Sequence, residues 1–285
     1  MKKKILVLFV GLVMILLLCA CDSEEVKQAK EAYANGDYAK AVELLSKEKD
    51  LNQDAQDILI ISEANVLYED GKCFEAVKKL ATSSQGLQAE QFDEMYQAAL
   101  DEAIAKPSSD NVIELLALDE TKEDTVYKAV TKACKNKDYN AFRTLGGLVK
   151  KLPDGDLKTK LSEFKKDNEI LKAESFIVGT WEWQMEGQEE LARVEVVPYN
   201  DNFVGRLVRV GSDLDDYHYE KDDVYWKDFQ FEEEDKFICY NLTRTPEGDV
   251  IGETASGKIN YKKGKIELNV TGASDPLRTW KRIDD

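Results

Sequence analysis

The chain has 285 residues, a third of them charged, and 56 acidic side chains outweigh 39 basic ones to leave a formal net charge of −17. Such a surface repels nucleic acid and anionic lipid head groups, which excludes both as direct partners. One histidine and five cysteines are too few for a disulfide scaffold, a Cys/His metal set or a Ser/His/Asp arrangement, so no cofactor, metal or catalytic residue is expected.

The first stretch reads Lys2-Lys3-Lys4, an apolar run from Ile5 to Leu18, Cys19-Ala20-Cys21, and then an abrupt change to Asp22-Ser23-Glu24-Glu25. A basic start, an apolar segment too short for a comfortable membrane span and a small residue at its end predict a secretory signal peptide over 1–20. Leu18-Cys19-Ala20-Cys21 resembles the lipobox of bacterial lipoproteins. That resemblance implies cleavage before Cys21, fatty chains on Cys21, a lipidated terminus over 21–23, and a soluble body tethered at the extracytoplasmic face of the cell membrane. Each buried CH₂ of an acyl chain contributes about 0.8 kcal/mol, so two or three chains hold firmly where one is marginal. With Cys19 removed and Cys21 lipidated, Cys73, Cys134 and Cys239 remain as an odd number. Buried thiols are the first reading and a single disulfide the second.

From Glu24 to Glu174 apolar residues recur at helical spacing and the chain repeats itself. Tyr33, Gly36, Ala41, Val42 and Leu45 return as Tyr68, Gly71, Ala76, Val77 and Leu80 at a constant offset of 35, and weaker copies follow around Pro107 and Lys137. Turns are therefore predicted at Gly36, Gly71, Pro107 and Lys137. The Tyr-x-x-Gly-x-x-x-x-Ala pattern resembles tetratricopeptide-type repeats, although only two copies carry the Gly and the family's proline is absent. The resemblance implies helical hairpins stacked into a solenoid with a groove for a protein or peptide partner; a spacer that lifts the next domain off the membrane is the alternative. A last helix is predicted after Pro153-Asp154-Gly155, with Leu157, Leu161, Phe164 and Leu171 on one stripe.

Beyond Ser175 the texture changes to alternation and clustered glycines. Eight strands are predicted, centred on Gly179–Met185, Ala192–Val197, Phe203–Val210, Val224–Phe231, Phe237–Thr243, Val250–Ser256, Lys265–Val270 and Arg278–Ile283. Trp181, Trp183 and Met185 share one face of the first, Ala192, Val194 and Val196 one face of the second, and Ile266, Leu268 and Val270 one face of the seventh. Eight consecutive antiparallel strands close most simply into an up-and-down barrel over 176–285. The fold class expected is thus α+β in two domains, an all-α helical-hairpin solenoid followed by the barrel.

Gly179-Thr180-Trp181 and Arg278-Thr279-Trp280-Lys281-Arg282 resemble the opening Gly-x-Trp and the closing Arg/Trp segment of the lipocalin-like group, which includes exported bacterial domains. The resemblance implies that Gly179, Trp181, Arg278, Trp280 and Arg282 close the barrel, with an arginine over the Trp181 ring; Arg282 is the first candidate and Arg278 the second. The interior of an eight-stranded barrel is either filled by side chains or just wide enough for one small ligand. A shallow pocket for an apolar ligand would draw on Trp183, Trp226 and Tyr240. The acidic stretch Asp213–Asp223 offers oxygen ligands but lacks the residue order of a known calcium loop, so solvated charge is the reading. Glu232–Asp235 reads as a turn. Together these features describe a lipid-anchored, non-catalytic binding or scaffolding protein, with a barrel that carries a small apolar ligand as the alternative.

Overall fold

The computed structural model describes residues 23–89, 91–183, 191–211, 214, 218–262, 265–272 and 277–283; the leader with Cys21, and Met185, lie outside them. Among the described residues there are ten α-helices followed by eight strands in one closed antiparallel barrel. None of these helices is long and apolar enough to cross a membrane.

The helices are α1 (Glu24–Ala34), α2 (Tyr38–Leu45), α3 (Gln53–Glu69), α4 (Cys73–Leu80), α5 (Phe92–Ala105), α6 (Ser109–Leu118), α7 (Glu123–Lys135), α8 (Tyr139–Lys151), α9 (Asp156–Asp167) and α10 (Glu169–Ile177). They pair as hairpins about the four predicted turns, and all four turns close with the same bond. The amide of Asp37, Lys72, Ser108 or Asp138 donates to the carbonyl five residues back, on Ala32, Leu67, Ala103 or Ala133. This is the hydrogen bond of a Schellman cap, in which a left-handed residue usually stands just before the donor; Pro107, whose ring fixes a negative φ, closes its turn without one. Gly36 and Gly71 supply the left-handed residue at φ 78° and 75°, and Lys137 supplies it at φ 61° despite its side chain. Small side chains then let the helices approach closely: Ala29, Ala41, Ala55, Ala64, Ala76 and Ala99 are fully buried.

The chain divides into two compact units, one ending at Ala129 but including Lys150–Pro153, the other holding Val130–Val149 and everything from Asp154 onward. Thus α9, α10 and most of α8 group with the barrel, although the change from helical to strand texture falls after α10. The single helix expected after Gly155 is two. Asn168 interrupts it at φ −125°, ψ 36°, and its side-chain amide donates to the Phe164 carbonyl and ends α9. Leu157, Leu161 and Phe164 are buried on α9, whereas Leu171 belongs to α10 and is half-buried.

The strands are β1 (Gly179–Trp183), β2 (Ala192–Tyr199), β3 (Asn202–Arg209), β4 (Val224–Glu233), β5 (Lys236–Arg244), β6 (Val250–Lys262), β7 (Lys265–Gly272) and β8 (Arg278–Arg282). Each pairs with the next, and β8 returns to β1 through Trp181↔Arg282 and Glu182↔Lys281. β6 runs six residues past the predicted Ser256 because Gly257 continues the strand. The Phe237 ring lies against it, where a Cβ would meet the ring at 2.0 Å, so the missing side chain is space that the core uses. Strict alternation fails twice in β4. The register shifts between Gly205 and Arg206 on β3, opposite Tyr225, and both Tyr225 and Trp226 are buried. A second shift follows Lys227. There Asp228 takes φ 55°, and the Asn202 side chain binds both the amide and the carbonyl of Phe229. These bulges bend the strand and reset which side chains face inward.

Candidate functional site

Tryptophans fill the barrel. Trp181, Trp226 and Trp280 are at most 1% exposed, and Trp226 and Trp280 meet edge-to-face at 4.8 Å between centroids. Phe229 and Phe237 extend the cluster beneath Trp226. Between Tyr225, Trp226, Asn241, Arg278 and Trp280 lies a void of about 10 Å³, no more than one water molecule occupies. Among the described residues, these side chains occupy the interior in the way of the filled outcome open to an eight-stranded barrel.

At the Gly179 end, helices from the same compact unit meet the first and last strands. Gly179 turns the chain from α10 into β1 at φ 139°. The Trp181 indole N–H donates to the Ile177 carbonyl at 2.8 Å, which satisfies the one polar atom of a ring that is otherwise wholly buried. Arg282 donates to the Phe176 carbonyl at 2.8 Å, with its guanidinium 3.8 Å from the Tyr139 ring and 5.8 Å from Trp181. Tyr139 and Phe142 pack edge-on against Phe176.

At the opposite end, Arg278 lies 4.4 Å over the ring of Trp183 and donates to the Tyr225 hydroxyl at 2.6 Å. The two arginines of the closing segment therefore serve different tryptophans. Arg282 is the one beside Trp181. Tyr225, buried together with its neighbour Trp226 at the register shift in β4, completes this end.

The structure does not assemble the predicted trio of Trp183, Trp226 and Tyr240. Trp183 and Trp226 both touch Trp280, at 5.9 and 4.8 Å. Tyr240 is on the outer face, 38% exposed, with its ring over Gly252 and Lys227 Nζ 5.2 Å from its centroid. Its neighbours Cys239 and Asn241 take the inward positions of β5. No lumenal pocket is built from these three residues.

Compared with protein-family models, curated proteins and solved structures, the chain matches none of them. Its functional reading therefore rests on its own residues.

A larger recess opens on the barrel wall. It measures about 270 Å³ and is lined by Glu182, Trp183, Leu191, Thr279 and Lys281. Glu182 accepts from Arg193 Nε at 2.7 Å, and Thr279 donates to Asn269 Oδ1 at 2.9 Å. Among the described residues no group of three His, Cys, Asp or Glu could hold a metal ion. In the acidic stretch, Asp223 pairs with Arg244 at 2.8 Å and accepts from the Glu220 amide, while Tyr219 donates to the Leu242 carbonyl and accepts from the Arg244 amide. Glu234 and Asp235 form the two-residue turn between β4 and β5. Cys73, Cys134 and Cys239 are free thiols. Burial pushes Cys134 and Cys239 up to about 12, so both stay protonated and unreactive.

Proposed function

We propose that the protein is a lipid-anchored, extracytoplasmic lipoprotein acting as a non-catalytic binding or scaffolding module, with its helical hairpins offered to a protein or peptide partner. The lipobox-like Leu18-Cys19-Ala20-Cys21 supports the anchor, and the four tetratricopeptide-like turns support the helical binding surface. One observation carries the reading: the lumen of the barrel is occupied by Trp181, Trp226 and Trp280. A lipocalin-like barrel filled in this way serves as a rigid body, and recognition falls to outer surfaces. The alternative, a carrier of a small apolar ligand inside the barrel, requires those rings to part.

Two measurements test this function. Titration of the full chain with N-phenyl-1-naphthylamine, a neutral apolar fluorophore, is expected to show no saturable binding. One molecule bound per chain would replace the scaffold by the carrier. For the anchor, the chain is expressed with its leader in a bacterium and membranes are pelleted. The Cys21→Ser variant is expected to move from the pellet to the soluble fraction, and an unchanged distribution would remove the lipid.

A further inference from the structure

We propose that the first hairpin, α1–α2, is the face the protein turns to its own membrane, with the N-terminal turn of α1 held at the layer of phospholipid head groups. The inference rests on the reading of Cys21 as the acylated residue, and it adds the surface that the anchor presents to the bilayer.

Only Asp22 stands between Cys21 and Ser23. Cys21 and Asp22 lie outside the described residues, and the limit on their reach is covalent. Cα atoms joined by a trans peptide are about 3.8 Å apart, so Cys21 and Ser23 are separated by at most about 8 Å in any conformation. An acylated residue is held where the chains enter the bilayer, beneath a head-group layer about 5–7 Å deep. Ser23 is therefore kept within that layer or at its outer edge.

From Ser23 onward the chain has no slack. The Ser23 hydroxyl accepts from the Val26 amide at 3.2 Å and its carbonyl accepts from the Lys27 amide at 3.1 Å, so α1 is capped and helical from Glu24. Val26 and Ala29 are buried with Leu45 of α2 and Ala55 of α3. Lys30, also buried, pairs with Asp54 of α3 at 2.7 Å. The anchor thus pulls on a packed hairpin. The 11 residues of α1 rise about 16 Å, which keeps the whole helix within about 24 Å of Cys21.

Charge agrees with this placement. Residues 23–47 hold five acids and four lysines, nearly balanced in a chain of net −17, so the surplus acid lies elsewhere. The exposed side of α1 offers Glu24, Glu25, Lys27, Gln28 and Glu31. Side chains of both signs match the phosphate and ammonium of zwitterionic head groups, whereas the more acidic remainder is repelled by an anionic surface.

For the test, the chain is expressed with its leader, purified in detergent and reconstituted into phosphatidylcholine vesicles with nitroxide on a fraction of the head groups. A bimane label is attached at Gln28→Cys on α1 or at Ala117→Cys on α6, both exposed positions, in a Cys73→Ser background that removes the half-buried native thiol. The α1 label is expected to be quenched at least threefold more strongly than the α6 label. Twenty Gly/Ser residues inserted between Asp22 and Ser23, with a root-mean-square reach of about 25 Å, are expected to cut the α1 quenching at least twofold. Flotation with the vesicles reads the lipid separately. A chain that does not float overturns the acylation of Cys21 and the placement together. A chain that floats with equal quenching at both positions, or with α1 quenching unchanged by the spacer, overturns the placement and leaves the anchor standing.

Discussion

Trp181→Ala is expected to destabilise the barrel by about 3–5 kcal/mol, the range found when a large aromatic is removed from a core that collapses only in part. The ring is wholly buried, and it sits where the last turn of α10 enters β1. Its indole N–H is bonded to the Ile177 carbonyl, so truncation also strips a buried acceptor of its partner. Trp181→Phe keeps most of the apolar ring and loses that bond, and its expected cost is about 1–2 kcal/mol. Urea unfolding followed by the fluorescence of the three remaining tryptophans isolates the barrel from the helices. A loss below 1 kcal/mol for the alanine variant would show that Trp181 does not hold this end together.

The second large effect lies in the helical hairpins. Asp57 of α3 is 2% exposed and accepts from the Ser83 hydroxyl at 2.6 Å, the Ser84 hydroxyl at 2.6 Å, the Ser84 amide at 2.8 Å and Gln53 Nε2 at 3.2 Å. It thereby ties α3 to the segment that leaves α4. Burial raises the acid's pKa, but the bonds from Ser83, Ser84 and Gln53 outweigh it and hold the carboxyl below its ordinary value. Asp57→Ala removes the shared acceptor and leaves two hydroxyls and an amide to find others, at an expected cost of about 3 kcal/mol at pH 7. Because the folded value is depressed, this contribution is complete above the unfolded pKa of about 4 and is lost as pH falls through the lower folded value. The gap between parent and variant, measured by far-ultraviolet circular dichroism in urea, should therefore narrow from pH 7 to pH 3. A gap of equal size at both pH values would mean that the charge is not what stabilises the clasp.

Neither effect was equally visible beforehand. Trp181 stands on an alternating strand, which marks its face, and its place at the barrel end is what the resemblance of Gly179-Thr180-Trp181 to the lipocalin-like group implied. Asp57 looks like an ordinary helix-surface acid. The serines that claim it are 26 and 27 residues away, and no periodicity links them.

The phase of β5 was undetermined for a related reason. Phe237, Cys239 and Asn241 alternate with Ile238, Tyr240 and Leu242, and both sets carry apolar side chains. Only pairing with β4 and β6 decides that the first set faces inward and Tyr240 outward. In β4 too both phases carry apolar side chains, Val224 and Trp226 against Tyr225, Phe229 and Phe231, and only the register shift opposite β3 buries Tyr225 and Trp226 together.

What the sequence by itself determined is the local part of the architecture. The four hairpin turns follow from a local repeat, three of them closed by a left-handed residue at Gly36, Gly71 and Lys137, the eight strands from period-two alternation, and the up-and-down order from short connections, since each depends on residues near one another in the chain. What only the tertiary structure decided is which faces meet. Bulges in β4, the packing of three tryptophan rings inside the barrel and the clasp on Asp57 all arise between segments far apart in sequence. Their energies come from packing and hydrogen bonding across strands and helices, which a pattern along one chain does not encode.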